Sequence, residues 1–102
     1  MNAPLLPTIH LNGTSPQDLL DGYRAAMDAV QAAGEALAKC GPNGRDYYPQ
    51  GPDAIGVAAD QHRMRREAVM AVYDELVALA IHCNDAVMER EARRAAWRGG
   101  AA

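Results

Sequence analysis

The chain reads as all-α: an antiparallel helical hairpin with a short first helix at about 16–40 and a long second helix at about 54–97. Three observations carry that reading. A well-capped amphipathic run ends at Gly41-Pro42, a segment broken by glycines and prolines follows, and the chain then has no proline from Ala54 to its end. At 102 residues this is a single helical domain with little length for an enclosed core, so packing against copies of itself is expected.

Residues 1–15 read as an extended arm, because Pro4 and Pro7 prevent an early helix and Asn12-Gly13 marks a turn after Thr8–Leu11. Ser15 is a good N-cap and Pro16 suits the first helical position, where no amide hydrogen is needed. Asp18 and Asp21 lie near the positive end of the helix dipole, and Lys39 near its negative end. Within this helix Leu20, Tyr23, Met27, Val30, Gly34 and Leu37 recur at steps of three and four, forming a packing seam. Beside it runs a stripe of small residues, Gly22, Ala26, Ala29, Ala33 and Ala36. That stripe is read either as a close-packing face or as helix-favouring alanine.

The segment 41–53 holds three glycines and three prolines and is expected to be a loop without regular structure. Asp53 can cap the second helix, Gly99-Gly100 is expected to end it, and 98–102 forms a tail. Helix 2 is the longer by about twenty residues, a difference of about 30 Å at a rise of about 1.5 Å per residue. Its stretch from about Leu79 to Trp97 would therefore lack a helical partner within the hairpin, and the arm around Ile9 and Leu11 is expected to cover part of it. From Ala68 to Cys83, thirteen of sixteen residues are apolar, more than one buried stripe requires. One seam follows Val69, Val72, Leu76, Leu79 and Cys83; another follows Met70, Tyr73, Val77 and Ile81. Two seams predict a homo-oligomeric helical bundle, with Val69, Met70, Tyr73, Leu76, Val77, Ile81 and Trp97 at the interface between subunits.

A formal net charge of −3 gives no bulk attraction to DNA or to an anionic membrane, and, with Pro4 and Pro7 interrupting the leucines of the N-terminal segment, no secretory leader is expected. Cys40 and Cys83 fall toward opposite ends of the hairpin, so free thiols and a cytoplasmic location are expected. The three histidines show no metal-ligand spacing, and neither a phosphate-binding P-loop nor a nucleophile elbow is present. Neither enzyme activity nor a cofactor or metal is expected.

Two segments point to binding. The loop "NGRDYYPQG" places Arg45, Tyr47 and Tyr48 together in a chain with only five aromatic residues, four Tyr and one Trp. Tyrosine faces stack on flat rings and arginine forks meet phosphate; alternatively, the tyrosines fold over the helix ends and Asp46 pairs with Arg45. The first turns of helix 2 carry "DQHRMRRE", in which His62, Arg63 and Arg66 fall at helical spacing. Together with Arg45 they form a candidate oxyanion site; alternatively, the turn is a solvated face with Arg63 paired to Glu67.

The segments "LNGTS" and "PNGRDYYPQG", within a stretch from Thr8 to about Ala86, resemble small proteins encoded by tailed phages and prophages. A looser similarity, in architecture alone, is to the helical-hairpin sponges that phages use against cyclic-nucleotide defence signalling. The resemblance implies a phage-associated protein in an infected or lysogenic bacterium. Together with the loop it leads to the expectation of an oligomeric anti-defence protein that sequesters a phosphorylated nucleotide through Arg45, Tyr47, Tyr48, His62, Arg63 and Arg66. The alternative is a protein-interaction module that inhibits a host defence protein or serves as an assembly adaptor.

Overall fold

A computed structural model describes residues 3–100. Its two helices are α1, Pro16–Lys39, and α2, Ala54–Gly100. The start of α1 follows its capping chemistry. The Ser15 hydroxyl accepts from the Asp18 amide at 3.1 Å, the Ser15 carbonyl accepts from Leu19 at 3.0 Å, and Pro16 is fully buried in the first turn. At the other end the Cys40 amide bonds to the Leu37 carbonyl at 3.2 Å, an i→i+3 contact that tightens the last turn and stops the helix one residue before the expected Cys40.

Two expectations need correction. The segment after Cys40 is not irregular: it holds two 3₁₀ turns, Gly44–Asp46 and Tyr48–Gln50. Such turns need only one i→i+3 bond each, so closely spaced glycine and proline do not prevent them. Nor does Gly99-Gly100 end α2, which runs through Gly100. A helical glycine costs only about 1 kcal/mol relative to alanine, and no residue there forces the chain to turn away. The expected 98–102 tail is thus helical as far as Gly100, and 101–102 lie outside the described residues, as do 1–2 of the arm. The Asp53 cap acts through its backbone carbonyl, which accepts from the Val57 amide at 3.3 Å.

The chain divides into two compact units, through both of which α1 and α2 run. The first comprises residues up to Met27 and from Glu75 onward. Its core is Leu20 from α1 with Ala80 and Cys83 from α2, enclosed by Leu19, Tyr23, Met27 and Val87. The arm lies on another side of α2, where Leu6, Pro7, Thr8 and Ile9 run along His82, Asp85, Ala86 and Glu89. His82 Nε2 stands 2.7 Å from the Pro7 carbonyl; because a carbonyl only accepts, the imidazole donates from Nε2. Ile9 thus contributes to this cover, whereas Leu11 is 95 % exposed and does not. Beyond Val87 the α2 side chains, Trp97 included, are exposed through Gly99.

The second unit, Asp28–Asp74, pairs the later half of α1 with about the first six turns of α2 and contains the loop. Its buried residues are Ala58 and His62; no large apolar side chain is fully covered.

Across both units the α1 seam from Leu20 to Leu37 is its less exposed face, while in the small-residue stripe Gly22, Ala29, Ala33 and Ala36 are exposed. On α2 the inward face draws from both expected seams: Val69, Tyr73, Leu76, Ala80, Cys83 and Val87 recur at steps of four and three. Met70, Val72 and Ile81 are left about half exposed.

Truncating Leu20, which is 3 % exposed, to alanine should cost about 2–5 kcal/mol in denaturant unfolding. Both cysteines are free, Cys40 exposed and Cys83 fully buried, so a thiol reagent should label Cys40 rapidly and Cys83 only on opening. Burial pushes the Cys83 thiol above its ordinary 9.0. The unfolded chain therefore loses this proton first. Stability should hold below about pH 9 and then fall by up to about 1.4 kcal/mol per pH unit until the folded thiol also ionises. Melting curves of Cys83→Ala should lack that component of the alkaline slope.

Candidate functional site

The loop is built by short-range bonds. Asn43 Oδ1 accepts from the Arg45 amide at 3.0 Å, and the Asn43 carbonyl from Asp46 at 3.0 Å. Tyr47 then bonds back to Gly44 and Gln50 to Tyr47, at 3.1 and 2.9 Å. Pro49 fits the second turn because its position needs no amide donor. Gly51, at φ 117°, sets the entry into α2, a backbone region that a side chain would strain.

These turns bring Tyr47 and Gln50 against the first three turns of α2. The result is a cleft of ≈ 350 Å³ lined by Cys40, Pro42, Tyr47 and Gln50 on one side and by Ala54, Val57, Ala58, Gln61, His62 and Arg65 on the other. Its back is pinned by His62, 9 % exposed, whose Nε2 donates to the Leu37 carbonyl at 2.7 Å. That bond uses the second lone pair of a carbonyl that also accepts from the Cys40 amide at 3.2 Å. It also selects the tautomer with the proton on Nε2 whenever the ring is neutral.

The structure separates the six expected ligand residues instead of gathering them. Tyr47 and His62 line the cleft, but His62 is a bonded structural group within it. Tyr48 is 74 % exposed and Arg45 is exposed; neither lines the cleft. Arg63 is held on its own helix, 2.9 Å from Glu67 and 3.7 Å from Asp60. Arg66 lines a second groove, with Glu35 and Met70. The division follows from helix geometry: consecutive residues point about 100° apart, and α1 packs over His62 between them. Arg65 therefore falls on the cleft side and Arg66 on the other.

Sequence reasoning missed Arg65, Gln61 and Gln50 as lining residues. A usable signal exists for Arg65. Its helical neighbours at three and four residues are Gln61, His62, Ala68 and Val69, none a carboxylate, whereas Arg63 has Asp60 and Glu67. Among the described residues Arg65 forms no ion pair. The cleft thus offers an arginine fork, two side-chain amides and a tyrosine ring: donors for an oxyanion, edges for hydrogen bonding and a face for stacking.

Among the described residues no group of three or more His, Cys, Asp or Glu is placed to hold a metal ion, and no helix is long and apolar enough to cross a membrane. Comparisons with protein-family models, curated proteins and solved structures gave no match to this chain.

Replacing His62 with alanine removes the Leu37 bond and leaves a gap behind the cleft. Because the Leu37 carbonyl keeps its Cys40 partner, we expect about 0.5–1.5 kcal/mol of lost stability in urea unfolding. A glutamine there, able to donate one hydrogen bond, should recover part of it.

Proposed function

We propose that this chain is a non-catalytic binding protein whose loop cleft takes a small ligand combining an oxyanion with a flat ring, the chemistry of a phosphorylated nucleotide. One observation carries the reading: the cleft joins Tyr47, Gln50 and Gln61 to Arg65, a guanidinium that forms no ion pair among the described residues. Arg65 takes the phosphate through two parallel N–H donors. Tyr47 stacks on the base, and the two glutamines meet its polar edge. In this assignment Arg65 replaces Arg63 and Arg66 of the sequence reading, and Tyr48 and Arg45 lie outside the contact set. The resemblance of the "LNGTS" and "PNGRDYYPQG" segments to phage-encoded proteins supports a role in the cytoplasm of an infected or lysogenic bacterium, where sequestering a cyclic nucleotide would blunt defence signalling.

A second reading, a module that binds a host protein, is favoured by the half-exposed apolar side chains on α2, among them Met64, Met70, Ile81 and Met88.

Calorimetry with a panel of cyclic and linear nucleotides separates the two. The nucleotide reading expects at least one ligand in the micromolar range. Affinity should fall about tenfold or more in Arg65→Ala, the loss of one charge-assisted contact, and stay unchanged in Arg63→Ala. A folded sample that binds none of the panel at high micromolar concentration removes the nucleotide reading and leaves the protein partner.

A further inference from the structure

The second groove lies wholly within the Asp28–Asp74 unit and is distinct from the ligand cleft. It is a valley of ≈ 420 Å³ between Val30, Gly34 and Glu35 of α1 and Arg66, Met70 and Tyr73 of α2. Val30 and Gly34 stand four residues apart on α1, as do Arg66 and Met70 on α2, so both walls are ridges of helical spacing. A valley between two such ridges is the shape that receives a ridge of another helix. Val30, Ala38, Met70 and Tyr73 give it an apolar lining, and nothing stands within 4 Å of the position a Cβ on Gly34 would occupy.

The rim decides what enters. One wall carries an acid, Glu35, and the other a base, Arg66. Among the described residues neither forms an ion pair within the chain. A rim with one charge of each sign does not select an anion or a cation, but it is complementary to itself. Turned about a two-fold axis, Glu35 of one copy meets Arg66 of another, and the reverse pair forms at the same time. The unit also needs such a cover, since Ala58 and His62 are its buried residues and Met70 is 52 % exposed.

We propose that this groove is the seat of a second copy of the chain, paired about a two-fold axis by reciprocal Glu35–Arg66 contacts over its apolar lining of Val30, Gly34, Met70 and Tyr73. Two α1 segments and two α2 segments then enclose one four-helix core. The assignment moves Arg66 from ligand to interface and adds Glu35 and, from the α1 seam, Gly34 to the residues expected there. It does not depend on what the loop cleft binds.

Light scattering coupled to size-exclusion chromatography of the full chain tests it, because a reciprocal pair has a signature that no other occupant shares. The wild-type chain should be dimeric at micromolar concentration. Glu35→Arg and Arg66→Glu should each raise the dimer dissociation constant tenfold or more, since each puts two like-charged contacts into one dimer. Mixing the two variants in equal amounts should restore association as a heterodimer, and the double reversal E35R/R66E should restore the homodimer. Gly34→Leu should fill the valley and abolish the dimer while helical circular dichroism is retained. A wild-type monomer at about 100 μM overturns the proposal, as does a charge-reversed pair that fails to recover when mixed. So does Gly34→Leu remaining dimeric.

Discussion

The hydrogen bond from His62 to the Leu37 carbonyl is the contact on which the second unit depends. It ties the end of α1 to the third turn of α2 and holds the chain together across the whole Cys40–Asp53 connection. A single imidazole does this because it is long enough to reach the neighbouring backbone and rigid enough to leave only two χ angles to order. With His62 in place, α1 occupies one face of α2, and the side chains on either side of that face are sent to different surfaces. The cleft with Arg65 and the groove with Arg66 are both consequences of where this ring is inserted.

Much of the fold was legible because it rests on local chemistry. The Ser15-Pro16 start of α1, its seam from Leu20 to Leu37 and the helical run after Asp53 all follow from capping and periodicity, which act over a few residues. The loop was less legible. Its glycines and prolines mark a break, but the first of the two 3₁₀ turns is capped by the Asn43 side chain bonding two residues ahead, a choice that composition does not reveal. The site was least legible. His62, Arg63 and Arg66 share helical spacing, yet only packing against α1 decides that His62 is buried and Arg66 faces a groove instead of the loop.

The two seams expected on α2 illustrate the same limit. Apolar residues surround this part of the helix, so any of several 3-4 repeats can be drawn through it. The observed inward line, Val69, Tyr73, Leu76, Ala80, Cys83 and Val87, takes members from both and includes Ala80, which belonged to neither. A small residue is what Leu20 packs beside, and steric fit chooses alanine where hydrophobicity alone would choose isoleucine. Ile81, one position on, is consequently left 56 % exposed.

Cys40 lines the cleft together with Arg65 and is exposed, while the second thiol of the chain is buried in the other unit. The molecule thus carries a natural covalent handle beside its candidate binding surface. A small disulfide-bearing fragment exchanged onto Cys40 would be held near Tyr47 and Gln61 at an effective concentration of about millimolar, the usual gain for a short tether. Weak recognition elements become detectable under those conditions, so the surface can be mapped fragment by fragment before any free ligand is known.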